Sequence, residues 1–134
     1  MFRAGPITVW LRISLPPPGT GPFTTTTSGA TVVLEIANSS TLNQDVELEV
    51  QIANGFLEFP ALGSNWTAKA VAVPCLLTRA AAYNRTYPIQ HAGNPGGGSE
   101  TVLCALLRYK QSSHPTFTSV SITGPGNSDV VAVT

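Results

Sequence analysis

The stretch Ile7-Thr8-Val9-Trp10-Leu11-Arg12-Ile13-Ser14-Leu15 decides the fold class. Its aliphatic residues occupy every second position. Successive side chains of an extended chain point to opposite faces, so Ile7, Val9, Leu11, Ile13 and Leu15 line one face and Thr8, Trp10, Arg12 and Ser14 the other. Asp45-Val46-Glu47-Leu48-Glu49-Val50-Gln51-Ile52 repeats the pattern, and Thr31 to Ala37 places Val32, Leu34 and Ile36 on one side. Half-buried strands are therefore the basic unit, and no segment longer than ten residues has convincing helical periodicity.

Outward from these strands, punctuation by turn residues is regular. Asn38-Ser39-Ser40 and Ala53-Asn54-Gly55 are turn signals, the latter because Asn-Gly tolerates positive φ. Phe56, Leu57 and Phe59 add aromatic core. Asn65 to Val73 is a weaker strand, supported by the β-branched Thr67, Val71 and Val73. Glu100 to Tyr109 carries apolar residues at consecutive positions from Val102 to Leu107, as a strand buried on both sides or at a subunit contact would. Thr116–Thr123 and Asp129–Val133 close the chain. About seven to eight strands spaced by roughly 8–12 residues predict an all-β, immunoglobulin-like antiparallel β-sandwich with long proline/glycine-rich loops. Residues 1–134 read as one domain, the expected size for a single core.

Two stretches interrupt the strands. Residues 16–29 begin with Pro16-Pro17-Pro18 and continue as a Pro/Thr-rich arm; three prolines favour an extended polyproline conformation. Residues 79–99 read as a long loop excursion containing Pro88, Pro95 and Gly96-Gly97-Gly98, with Ala80-Ala81-Ala82 as a helical turn. The expected interface residues sit in or near these stretches: Trp10, Pro16, Pro17, Pro18, Phe23, Arg79, Tyr83, Arg85 and Tyr87. Tyr, Trp and Arg are the residue types enriched at interface hot spots.

Charge narrows the function classes. Charged residues make up 10% of the 134, with seven basic and seven acidic, so the net charge is zero. Globular domains carry about 25%. With Lys69 and Lys110 as the only lysines, no patch exists that would neutralise many phosphates, which argues against nucleic acid as a partner. No run of about 18 apolar residues spans a membrane. A neutral, charge-poor surface promotes association and points to protein partners.

Candidate chemistry is sparse. Cys75 and Cys104 could form one disulfide, contributing roughly 2–4 kcal/mol, or stand as two buried thiols; neither has a second ligand at zinc spacing. His91 and His114 are isolated in loops, and no Gly-x-Ser-x-Gly elbow is present. Asp45, Glu47 and Glu49 share one strand face, which reads as solvated because a flat face does not converge on calcium. Three Asn-x-Ser/Thr sequons, at Asn38, Asn65 and Asn84, read as coincidence in so Ser- and Thr-rich a chain. Gly96-Gly97-Gly98 lacks the Lys-Ser/Thr and following helix of a phosphate loop. No catalytic, metal or cofactor residue is assigned.

Thr31-Val-Val-Leu-Glu-Ile-Ala-Asn-Ser-Ser, Asp45 to Phe59 and the Pro-Gly-rich turn and strand from Asn94 to Lys110 resemble the immunoglobulin-like conserved repeat domain of bacterial cell-surface proteins. The resemblance extends over about two-thirds of the chain. It implies an Ig-like fold and a structural role without catalytic residues, and it departs at the first strand, the triproline arm and the excursion.

The expected function is a non-enzymatic structural protein of a virion, a decoration or cement protein that clamps neighbouring capsid subunits. An extracellular-type composition without the continuous apolar block of a signal peptide after Met1 motivates it. The alternatives are a secreted cell-surface or adhesion module and a carbohydrate-binding module using Trp10 and Trp66.

Overall fold

The computed structural model describes residues 1–60, 67–70, 82–93 and 96–134, with only the backbone described for 67–70 and 82. Eleven strands occur among the described residues and no helix. They are β1 (Phe2–Ala4), β2 (Ile7–Ser14), β3 (Thr31–Asn38), β4 (Gln44–Ile52), β5 (Leu57–Glu58), β6 (Thr67–Ala70), β7 (Ala82–Pro88), β8 (Gln90–His91), β9 (Gly98–Gln111), β10 (Thr118–Ser121) and β11 (Ser128–Val133). Three of these, β1, β5 and β8, have only two or three residues, and they account for the excess over the seven or eight expected.

Every strand pair is antiparallel. The first sheet has the order β1-β2-β3-β7, and the second β10-β9-β4-β6 with β11 also on β9. β9 is long enough to pair with β4 on one edge and with two strands end to end on the other, β11 along Gly98–Leu103 and β10 along Leu106–Tyr109. The alternating residues do what their period requires. Ile7, Val9 and Leu11 of β2 and Val32, Leu34 and Ile36 of β3 are buried against Val46, Leu48, Val50, Val102, Cys104 and Leu107 of the second sheet, in one shared core. The result is a two-layer, sandwich-like all-β fold. A Gly5-Pro6 loop joins β1 to β2. The Gly5 φ of 55° and the fixed negative φ of proline fit a type II′ hairpin, and a Cβ at Gly5 would stand 2.4 Å from the Tyr109 hydroxyl.

Three expectations need correction. The consecutive apolar run of β9 is not a strand buried on both faces. Glu49 pairs with Leu106 but Val50 with Cys104, so Ala105 is an inserted bulge residue that shifts the inward phase from Val102 and Cys104 to Leu107. Leu103 and Leu106 consequently lie on the outer face, half-buried.

The excursion 79–99 is largely sheet: Ala82–Pro88 forms β7, paired with β3 from Ala37↔Ala82 to Thr31↔Pro88, and Gln90–His91 pairs with β5. β7 is an edge strand of the first sheet, where few apolar side chains are required and a terminal proline removes no ladder bond, so its polar sequence hid it. In the proposed alanine turn, Ala82 starts β7, and residues 80 and 81 lie outside the described residues.

The arm 16–29 is not free. The chain reverses at Pro16–Gly19, where the Gly19 N–H donates to the Pro16 carbonyl (2.8 Å). Phe23 is 0% exposed and forms a parallel bridge with Val133, its N–H donating to Ala132 O (2.7 Å) and its carbonyl accepting from Thr134 N–H (2.9 Å). Phe23 is thus a core residue rather than an interface residue.

Cys104 is a free, buried thiol, and Cys75 lies outside the described residues, as do Arg79 and Trp66.

Candidate interaction surface

The outer face of the second sheet is where the three acids of β4 lie, and the fold supplies ion-pair partners for two of them. Asp45 pairs in register with Lys110 and Glu47 with Arg108, with N···O distances of 2.9 and 3.4 Å. Glu49 stands in register with Lys69 of β6. The Lys110 hydrogen bond holds the Asp45 carboxyl below its usual value against the opposing effect of burial, with help from the Ser112 hydroxyl. Lys110 also lies 5.5 Å from the centre of the Phe117 ring. Opposite charges directly across a ladder stabilise the pairing modestly. They also leave this face with little net charge to attract or repel a partner.

Beyond the charged rows the same face turns apolar. Leu106 stands opposite Glu49 and Ser121, Leu103 opposite Gln51 and Ser128, and Val130, 55% exposed, opposite Thr101. Leu103 and Val130 are diagonal neighbours, close enough for side-chain contact. The bulge at Ala105 is what puts both leucines on this side.

The outer face of the first sheet differs. Trp10 is 56% exposed and lies in a row with Glu35 and Asn84; the adjacent row is Arg12, Val33 and Thr86. Trp10, Pro17 and Pro18 are the exposed members of the expected interface set, together with Arg85, while Pro16 is half-buried. Tyr83, Arg85 and Tyr87 stand opposite Ile36, Leu34 and Val32, on the core side of β7. Both tyrosines pack against the core, and Tyr87 meets Phe59 edge to face at 6.3 Å. Burial raises the Tyr87 phenol above its usual value, partly offset by the Arg85 charge.

The groups that might have carried chemistry are otherwise engaged. The Gly93 N–H donates to His91 Nδ1 (2.8 Å), so the proton of a neutral His91 ring is on Nε2, which donates to Thr134 O (3.0 Å). The His114 ring bonds only to Thr116, and its backbone N–H donates to Gln111 O (2.8 Å). It borders an open depression of about 350 Å³ with Tyr109 and Lys110, whose ammonium is already bound to Asp45 and the Ser112 carbonyl. No group of three or more His, Cys, Asp or Glu that could hold a metal occurs among the described residues. The Asn38 side chain is 2% exposed, its amide donating to Leu42 O and its carbonyl accepting from Ser40 N–H, whereas Asn84 is exposed and Asn65 lies outside the described residues.

Cys104 faces the core and its thiol donates weakly to Leu106 O (3.5 Å). Burial pushes its pKa up from 9.0 to about 12. The thiolate is the nucleophile, so Cys104 is expected to resist iodoacetamide at pH 8 in the native protein and to react fully once unfolded. Peptide mass mapping checks this. The folded pKa is raised, so the unfolded chain loses this proton first; the contribution to stability is complete below pH 9 and disappears between pH 9 and about 12. A denaturation series across that range should show the decline, and a C104S variant should show less of it.

Of the buried polar residues, Asn38, Gln44, Glu100 and Asn127, the last two tie distant segments together. Glu100 accepts backbone N–H bonds from Asn54, Phe56, Leu57 and Thr101, at 2.7, 2.7, 3.2 and 3.1 Å. Counting back by twos from Val102 places Glu100 inward, which was the available signal. Asn127 fills the gap between β10 and β11, its side-chain amide donating to Cys104 O (2.9 Å) while its backbone carbonyl accepts the Cys104 N–H (2.8 Å). Nothing local in Gly126-Asn127 announces this; it depends on the bulge. Compared with models of known protein families and with curated protein sequences, the chain matches none.

Proposed function

We propose that this protein is a non-enzymatic structural subunit of a virion surface, of the capsid decoration or cement type, and that it joins neighbouring subunits through the outer face of its second sheet. The observation that carries this is the composition of that face: Asp45 and Glu47 are paired with Lys110 and Arg108, and the half-buried Leu103 and Leu106 and the exposed Val130 supply apolar surface beside them. Such a surface gains from burial against a neutral partner without leaving a charge unpaired. Repetition of one modest contact over a particle lattice supplies the strength. We also read the sandwich as immunoglobulin-like. The order β2-β3-β7 facing β6-β4-β9-β10 corresponds to strands A, B and E facing C′, C, F and G, which supports that assignment. The residue-level resemblance to bacterial surface repeats favours a second setting, a cell-surface adhesion module using the same face.

Val130→Lys tests the contact. Val130 is exposed, so the variant should fold normally, while its binding to purified particles falls at least tenfold in co-sedimentation. Particle binding equal to wild type, or a wild-type protein that remains monomeric and sediments apart from particles, defeats the proposal. Fractionation of the source culture separates the two settings, because a particle subunit co-purifies with virions and an adhesion module with cell envelopes.

A further inference from the structure

We propose that the outer face of the first sheet is a glycan-binding platform, in which Trp10 stacks on a pyranose ring and Glu35, Asn84 and Arg12 bind its hydroxyls. The register puts Trp10, Glu35 and Asn84 side by side on β2, β3 and β7. Adjacent strands are about 4.8 Å apart, so this row spans roughly 10 Å, the reach of two sugar rings. Arg12 and Thr86 flank it in the next row.

Availability distinguishes this face from the other. Asp45 and Glu47 on the second sheet are paired with bases, whereas the side chains of Glu35, Arg12 and Asn84 have no hydrogen bond or ion pair among the described residues. A carboxylate accepts two hydroxyls, an amide both donates and accepts, and a guanidinium only donates. Together they match a polyol, whose hydroxyls need both kinds of partner.

Area decides against a protein occupant. Trp10 is the only large apolar side chain exposed within the strands of this sheet among the described residues, with Met1 exposed just before β1 at its edge. About half of the 150–250 Å² that an aromatic side chain can bury remains open. A stable protein interface needs about 800 Å² per partner, with several apolar anchors at its centre. One indole beside Thr8, Arg12 and Glu35, with Asn84 and Thr86 one strand further on, is too small for that, and it matches the C–H face of one sugar ring. A few placed polar groups around an apolar floor are the general composition of a small-ligand site.

The experiment uses the whole chain labelled with ¹⁵N, titrated with cello-, malto-, manno- and chitotetraose and followed by NMR. At least one tetrasaccharide should give saturable shifts at the Trp10 indole N–H and the Asn84 amide. Trp10→Thr, which keeps a good strand former, should weaken that binding more than tenfold, and Glu35→Gln or Asn84→Ala about three- to tenfold, with thermal midpoints unchanged. Absence of shifts with all four sugars at 10-fold millimolar excess overturns the proposal, as do shifts confined to other surfaces. Concentration-dependent shifts at Trp10 without sugar would assign the face to a second copy of the chain and also overturn it. Val130→Lys leaves this platform intact, so its outcome and this one are independent.

Discussion

Glu100→Gln is expected to lower the unfolding free energy by about 2–4 kcal/mol, because hydrogen bonds to a charged acceptor contribute about 1.5–3 kcal/mol each and a buried donor left unpaired costs about 1–3. The carboxylate is fully buried and receives four backbone N–H groups. Three of them come from Asn54 and Phe56 in the turn that follows β4 and from Leu57 at the start of β5. That turn carries Leu57 and Phe59 into the core, so Glu100 fastens a loop across the end of the second sheet. The substitution keeps shape but replaces one acceptor oxygen with an NH₂ facing other donors. Total stability of a domain this size is only about 5–15 kcal/mol, so the loss should be visible as a large shift in the urea midpoint. Hydrogen exchange should accelerate at Asn54, Phe56 and Leu57 before it does in β9. A variant within 0.5 kcal/mol of wild type, on the scale of ordinary surface substitutions, would show that the four bonds do not hold the loop.

Phe23→Ala should destabilise the isolated protein by about 3–5 kcal/mol, the range for truncating a buried aromatic side chain. Phe23 is 0% exposed and belongs to the core that includes Val133 and Val131. Its backbone bonds to Ala132 and Thr134 would persist in sequence but lose the side chain that seats them. The measurement discriminates between two roles for the arm. A docking arm would lose affinity for a partner while the monomer kept its stability. A segment of the sandwich loses stability in the monomer itself, with no partner present, and residues 16–29 become sensitive to proteolysis. Denaturation of the purified monomer gives the answer, and unchanged stability would return Phe23 to the interface.

Several elements were legible from residues alone. The alternation in Ile7–Ser14 and Asp45–Ile52 specified strand, inward face and boundaries to within a residue. Strict period two leaves only one way to bury an apolar set, so local information sufficed. Leu57 and Phe59 were likewise placed in the core by type. The candidate surfaces were less accessible. Trp10 could be assigned to the non-core face of its strand from its phase, but its row with Glu35 and Asn84 exists only because β3 pairs with β2 on one side and β7 on the other.

Period, turn residues and charge content determined by themselves that the chain forms sheets, which faces of β2, β3 and β4 turn inward, and that its formal net charge is zero. These depend on each residue's relation to its sequence neighbours. Tertiary structure decided the rest: that β7 is sheet, that Ala105 inverts the phase of β9, that Phe23 is core, and that Asp45 and Glu47 meet Lys110 and Arg108. Each of those outcomes joins groups far apart in the chain. Their free energies come from burial and pairing that appear only after the two sheets have closed on each other.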